Sequence, residues 1–194
     1  MPSLLLLALT GCGGNVAAPY GATLDMTNLD GVALAIDTGL LEPNDRIGAL
    51  VKLQGLVTGP NRASTTTDAV PMNGVQVEIT SGWSQAYLIP ESAVRVVDDY
   101  ETECDESGAT SDENDPCNAW FNETDETWVE FGGDYTDLEN FRPTYFVGET
   151  DNRGLIDFYT FIDSVPVDEE GAPIAFSVYG TIGVDDDITT FEFG

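Results

Sequence analysis

Residues 73–80 read NGVQVEIT and carry the most regular alternation of apolar and polar side chains in the chain. Successive side chains of a β-strand point to opposite faces, so Val75, Val77 and Ile79 would share one face. The polar residues between them would share the other face. A strand with one apolar and one polar face predicts an antiparallel sheet that packs on a core through one side.

Shorter runs of the same kind lie before and after this strand, separated by Gly, Pro and Asp. Residues 85–89 and 93–97 are predicted to form one strand that bends at Pro90, because proline cannot donate to a sheet ladder. Residues 150–154, TDNRG, are predicted to form a hairpin turn with Gly154 at positive φ. The other predicted strands are residues 32–36, 47–57, 128–131, 144–147, 155–162, 174–179 and 188–193.

No segment of ten or more residues shows convincing helical periodicity. Short strands at this spacing, split by turn residues, predict an all-β fold in which two sheets pack as a sandwich. The predicted core positions are Val75, Val77, Ile79, Ile156, Phe158, Phe176 and Val178.

The order of these motifs resembles that of bacterial immunoglobulin-like domains of the invasin/intimin type. Residues 73–79 are similar to the Gly-Val-x-Val strand of those domains, and residues 150–156 to their Thr-Asp-x-x-Gly turn. Residues 174–178 and 189–193 resemble the closing strand pair. The resemblance covers residues 32–194 and implies an immunoglobulin-like β-sandwich. It also implies a stalk module or an adhesive surface, although a fold alone does not fix a function.

The N-terminal residues, MPSLLLLALTGC, have the pattern of an export signal. The apolar run at residues 4–9 is far shorter than the roughly 20 residues that span a bilayer, and it fits the apolar region of a secretory signal. Leu9-Thr10-Gly11-Cys12 resembles the lipobox of bacterial lipoproteins. No Lys or Arg precedes Leu4, so either the α-amino group supplies the positive charge or the true start lies upstream. The alternative is a buried strand that ends at a free Cys12.

The lipobox resemblance implies a signal peptide over residues 1–11 and a lipid on the sulfur of Cys12. Residues 12–31 would then be a tether between the membrane and the domain. Three acyl chains would anchor the protein stably, whereas a single chain binds a membrane only marginally. Gly13 stands where Asp retains some lipoproteins in the inner membrane, which favours the outer membrane or the cell surface.

Residues 98–143 form an insertion that the immunoglobulin-like domains do not usually carry, and it contains Cys104 and Cys117. With Cys12 assigned to the lipid, these two are the remaining cysteines, and export to an oxidising compartment predicts a disulfide between them. A disulfide that closes a loop of this length would stabilise the folded protein by roughly 3 kcal/mol. Two cysteines without His disfavour a zinc site.

Residues 98–126 carry 12 Asp and Glu and no Lys or Arg. Such a segment repels itself, so it is either a solvated, disulfide-clamped loop or a loop folded around a cation. It distantly resembles the calcium-binding thrombospondin type 3 repeat, with Ser107 where that repeat has an Asp. The implied calcium ligands are Asp105, Ser107, Asp112, Asn114 and Asp115. The second acidic cluster, at residues 185–187, is expected to be a turn between strands.

Aromatic residues crowd the region after the Cys104–Cys117 loop, and they include Trp120 and Trp128. One interpretation is a core beneath the insertion. The other is an exposed aromatic patch, with Trp120 and Trp128 as candidate contacts for a glycan or a protein partner.

The chain has 35 acidic and 6 basic residues, no His and a net charge of −29. This charge repels phosphate backbones and argues against nucleic-acid binding, although it also suits a saline habitat, where salt screens the repulsion. Without His, a Gly-x-Ser-x-Gly motif or a phosphate-binding loop, the chain is predicted not to be an enzyme. We expect a non-catalytic, lipid-anchored envelope or cell-surface protein that serves as an adhesion or structural module or as a subunit of an extracytoplasmic assembly. The alternative is a calcium-dependent glycan-binding module.

Overall fold

The computed structural model describes residues 17–26, 34–36, 49–61, 68–97, 119–122, 127–138 and 140–193. These residues form thirteen β-strands and two 3₁₀ turns, and no helix among them is long and apolar enough to cross a membrane. The strands are β1 (Thr23–Asp25), β2 (Leu34–Ile36), β3 (Ala49–Pro60), β4 (Ala69–Pro71), β5 (Gln76–Ser81), β6 (Ala86–Pro90), β7 (Val94–Val97), β8 (Ala119–Asn122), β9 (Thr127–Phe131), β10 (Tyr145–Glu149), β11 (Leu155–Ile162), β12 (Phe176–Thr181) and β13 (Asp186–Phe193). The 3₁₀ turns are η1 (Glu91–Ala93) and η2 (Gly133–Thr136).

The strands form two sheets. The first has eight strands in the order β6-β11-β3-β8-β9-β7, with β1 and β4 also paired to β3. The second has five strands in the order β10-β5-β12-β13-β2. Among the described strands, only the pairs β3–β8 and β13–β2 are parallel. The prediction of an all-β sandwich is confirmed.

The main core lies between the two sheets and contains the side chains that the alternation predicts to be inside. The rings of Phe146 and Phe158, one from each sheet, lie 5.4 Å apart between centroids. Phe176 and Phe191 stack across the β12–β13 pair at 4.7 Å. The seven predicted core residues are all buried: Val75, Val77, Ile79, Ile156, Phe158, Phe176 and Val178.

The turn at residues 150–154 is not the hairpin turn that the sequence predicts. Strand β10 pairs with β5 in the five-stranded sheet, whereas β11 pairs with β3 and β6 in the other sheet. The turn therefore carries the chain from one sheet to the other. Gly154 has the predicted positive φ, at 78°. A Cβ on Gly154 would also lie 2.6 Å from the Val57 carbonyl oxygen, so both the conformation and the close approach require glycine.

Asp151 holds this turn through its side chain. Its Oδ1 accepts the backbone N–H groups of Arg153 at 2.8 Å and Leu155 at 2.9 Å. Its Oδ2 accepts Nε of Arg153 at 2.8 Å. The Leu155 N–H, followed by the Arg153 side chain, holds the pKa of Asp151 below its ordinary value. The sequence reading identified the turn chemistry correctly but not the strands that the turn connects.

The buried residue Thr150 joins this turn to the start of β5. Its hydroxyl donates to the Met72 carbonyl oxygen at 2.6 Å and accepts the Val75 N–H at 3.0 Å. Its backbone N–H donates to the Val75 carbonyl at 3.0 Å, and its carbonyl accepts the Gly74 N–H at 2.9 Å. We call this set of four hydrogen bonds the Thr150 clasp.

The single bent strand predicted around Pro90 is also corrected. Pro90 ends β6 and has no N–H with which to continue the ladder, and the chain then makes the 3₁₀ turn η1. Strand β7 begins after that turn and pairs with β9, whereas β6 pairs with β11. Residues 86–90 and 94–97 thus lie at opposite ends of the strand order of the eight-stranded sheet.

A second apolar cluster, which we call the outer core, lies on the other face of the eight-stranded sheet. Strands β3, β6 and β11 contribute one wall, and Val129 and Phe131 of β9 contribute the other. Strand β11 is therefore buried on both faces near its end, with Thr160 and Ile162 toward the main core and Tyr159 and Phe161 toward the outer core. Part of the segment predicted as an insertion, β8 and β9, therefore belongs to the eight-stranded sheet and helps to enclose the outer core.

Residues 17–26 belong to the domain, although the sequence assigns them to the tether. Ala22, Leu24 and Met26 are buried in the main core, and β1 pairs with β3. The backbone N–H groups of Leu24 and Met26 donate to Asp185 Oδ2 at 2.8 Å and Asp187 Oδ2 at 2.7 Å. Ala22, Leu24 and Met26 occupy alternate positions, as in a strand, but three positions are too few to distinguish a short strand from a linker in the sequence. The other residues of the predicted tether lie outside the described residues.

The hydroxyl of Thr160 is fully buried and has no hydrogen-bond partner within the described residues. Thr160→Val keeps the branched shape and removes a desolvated polar group, so we expect the free energy of unfolding to rise by about 1 kcal/mol. Urea denaturation measures it. Thr189→Val is the matched control, because that hydroxyl donates to the Met26 carbonyl at 2.7 Å and its loss should destabilise the fold by about 1–3 kcal/mol. Equal losses in both variants would contradict this interpretation of Thr160.

Candidate functional site

Most of the residues singled out from the sequence lie outside the described residues. These are Cys12, Cys104, Cys117, Asp105, Ser107, Asp112, Asn114 and Asp115. Lipidation, the disulfide and the calcium site therefore stay predictions. Within the described part of the chain, no group of three or more His, Cys, Asp or Glu side chains is placed to hold a metal ion.

Trp120 and Trp128 lie within the described residues, on the β8–β9 hairpin. The register pairs Trp120 with Val129, so these two side chains share a face. Trp128 precedes Val129 in the same strand and points to the opposite face. The ring of Trp120 meets Phe161 edge-on at 4.5 Å and is 36% exposed, at the rim of the outer core. The two tryptophans therefore do not form one stacking surface.

A shallow groove of about 480 Å³ lies where β7 and β9 meet the two 3₁₀ turns. Arg95 on its edge donates through Nε at 3.0 Å and Nη2 at 2.8 Å to one carboxylate oxygen of Glu130. Tyr135 lines the groove, and desolvation followed by the charge of Asp134 raises its pKa. The lining combines one ion pair, a phenol and apolar surface.

The outer face of the five-stranded sheet carries a row of side chains that are directly opposite one another on four strands. Tyr145 of β10 pairs with Thr80 of β5, Thr80 with Tyr179 of β12, and Tyr179 with Ile188 of β13. Tyr145, Tyr179 and Ile188 are 51%, 48% and 51% exposed. We call this row the tyrosine face.

The surroundings fix the direction of both tyrosine rings. The Glu78 carboxylate lies near the hydroxyl of Tyr145, and desolvation, followed by the charge of that carboxylate, raises the pKa of Tyr145. The ring of Tyr179 leans toward Gly82, where an added Cβ would lie 3.1 Å from Cε2 of the ring. Tyr145 thus leans toward Glu78 and Tyr179 toward Gly82, on opposite sides of Thr80.

Sequence reasoning missed Tyr179 and Ile188 as surface residues. Tyr179 ends the predicted strand 174–179 (IAFSVY), which is mostly apolar, and such strands are expected to be buried. Ile188 stands beside Thr189 and Thr190 as a single apolar residue. The sequence feature that indicates their exposure is the alternation of inward and outward positions along each strand. Tyr179 directly follows Val178, a predicted core residue, so strand alternation places it on the outer face.

No family model and no curated protein matches the chain. A crystal structure of the N-terminal domain of the Streptococcus gordonii adhesin Sgo0707 is similar to 93% of this chain, with a TM-score of 0.24 and 12% identity. The chain spans about a third of that structure, 34% of its length. A likeness at this level carries no argument about fold or function.

The contact of Trp120 with Phe161 distinguishes a packing role from a purely surface role. Trp120→Ala removes that ring from the rim of the outer core, so we expect the free energy of unfolding to fall by about 2 kcal/mol. The control is Tyr20→Ala, since Tyr20 is 93% exposed and its loss should change stability by less than about 0.5 kcal/mol. Urea denaturation measures both. Equal, small effects would mean that Trp120 contributes nothing to the packing.

Proposed function

We propose that this chain is a non-catalytic, lipid-anchored protein of the bacterial envelope or cell surface. Its domain is an immunoglobulin-like sandwich of the invasin/intimin type that serves adhesion or the assembly of an extracytoplasmic complex. Calcium bound in the acidic segment and the Cys104–Cys117 disulfide belong to the same proposal.

The observation that carries the proposal is the Thr150 clasp. The two motifs behind the resemblance, at residues 73–79 and 150–156, are far apart in the sequence and meet in space. The hydroxyl of Thr150 bridges the Met72 carbonyl and the Val75 N–H, directly around the Asn73-Gly74 turn. Gly74 takes a φ of 70°, which favours glycine at that turn. Motifs that form one structural unit support the resemblance better than their order alone does.

The position of β1 limits how far a lipid anchor could hold the domain from a membrane. Ala22 is already buried in the main core and lies only ten positions after Cys12. Even fully extended, ten residues reach about 35 Å. In this proposal the domain works close to the membrane surface. Its strong negative charge would keep it off anionic lipid headgroups.

Analysis of the N-terminus of the protein isolated from its native membranes tests the anchoring. We expect the chain to begin at Cys12, with a lipid mass on that residue, in the N-terminal peptide seen by mass spectrometry. Cys12→Ser should lose the lipid and move the protein to the soluble fraction. A retained Met1 or an unmodified Cys12 would refute the anchoring.

A further inference from the structure

We propose that β1 is a latch, which leaves the domain as a unit while both sheets stay folded and which lengthens the anchor when it is released. Side chains of β13 hold the latch in place. Release as a unit is a property of the fold and is tested on a soluble chain. The lengthening rests on the lipid anchor of the proposed function. Failure of the latch would leave the anchoring proposal intact, and loss of the anchor would leave the latch intact.

The two sheets hold β1 in different ways. On one side, all three residues of β1 pair with β3. On the other side, the Leu24 N–H donates to Asp185 Oδ2 at 2.8 Å. The Met26 N–H donates to Asp187 Oδ2 at 2.7 Å, and the Met26 carbonyl accepts the hydroxyl of Thr189 at 2.7 Å. Strand β13 thus binds β1 through side chains, in the way that a protein binds an extended peptide.

Two glycines make room for the apolar side of β1. A Cβ on Gly180 of β12 would lie 2.7 Å from Sδ of Met26 and 2.9 Å from Cδ2 of Leu24. Gly55 of β3 lies beside the same two side chains, and an added Cβ there would be 3.4 Å and 3.5 Å from them. Strands β3, β12 and β13 therefore form a seat into which Leu24 and Met26 fit. Burial of these two side chains keeps the latch closed.

Both sheets keep their ladders when β1 leaves. Strand β3 pairs with β11 over eight positions, and β13 pairs with β12 over six. The residues Asp185 and Asp187 are half-buried, so water replaces the β1 amides as partners of their carboxylates after release. The rings of Phe146 and Phe158 still join the two sheets. A short terminal element opens at a lower free energy than core strands, so β1 opens before the sheets do.

Release of β1 changes how far the anchored domain reaches. With β1 docked, Ala22 lies ten positions after Cys12, and the fully extended chain between them spans about 35 Å. After release, the first described strand is β2, and its Leu34 lies twenty-two positions after Cys12, about 75 Å away at full extension. Tension on the anchor pulls on β1, so the latch extends the reach of the domain before either sheet unfolds.

Hydrogen exchange resolved by residue, on the full mature chain carrying Cys12→Ser, tests release as a unit. We expect the amides of Leu24 and Met26 to share one protection factor and to exchange at least about tenfold faster than those of Phe158 and Thr160 in β11. Low urea should accelerate exchange in β11 but hardly in β1, because release exposes little surface and global unfolding exposes much. Equal rates with equal urea dependence in both strands would overturn the proposal, and so would unequal protection of the two β1 amides.

A pair of variants tests the attachment to β13. Asp187→Ala removes the acceptor of the Met26 N–H, and it should also accelerate exchange of the Leu24 amide about tenfold, because the strand opens as a unit. Exchange in β11 should change less than about twofold. Asp186→Ala is the matched control, since it removes the same charge from the adjacent, exposed residue and should leave β1 unchanged. Equal effects of the two variants on Leu24, or equal acceleration of β1 and β11, would overturn the proposal.

Optical tweezers test the lengthening without a lipid, by pulling the full mature chain between residue 12 and the C-terminus. We expect a first, reversible step of about 40 Å, the extended length of the twelve positions from Ala22 to Leu34, before the domain unfolds. Asp187→Ala should lower the force of this step, and Asp186→Ala should not. A single unfolding event with no earlier step would refute the lengthening.

Discussion

The buried hydroxyl of Thr150 is the contact on which the arrangement of the two sheets depends. It satisfies the Met72 carbonyl and the Val75 N–H, and it lies directly before the turn that leads from β10 to β11. Gly154 ends that turn against the Val57 carbonyl, and its own carbonyl accepts the Val57 N–H at 2.8 Å. Because β11 starts from this fixed point, its pairing with β3 and β6 follows in register.

The outer faces of the two sheets differ in how far they are covered. Strands β8 and β9 cover the outer face of β3, β6 and β11 and form the outer core with it. No described strand covers the outer face of the five-stranded sheet, and this is where Tyr145 and Tyr179 lie. One face of the sandwich is thus used for stability, while the other keeps aromatic rings at the surface.

The sequence predicted features that depend on local pattern and missed those that depend on distant contacts. Alternation placed Val77 and Phe158 in the core because one face of each strand packs on the opposite sheet. The positive φ of Gly154 also follows from local chemistry. The course of the chain after Pro90, and the docking of Leu24, depend on strands far away in the sequence. Tyr179 was missed because a strongly apolar strand gives no direct sign that one of its faces is exposed.

The effect of Thr150→Val on the free energy of unfolding tests the central role of the clasp most directly. Valine keeps the shape but leaves the Met72 carbonyl and the Val75 N–H buried without this partner, so we expect a loss of about 2–4 kcal/mol in urea denaturation. Thr150→Ser retains the hydroxyl and should lose less than about 1.5 kcal/mol, mainly for the missing methyl group. A valine variant as stable as the original protein, or no more affected than the serine variant, would contradict the account.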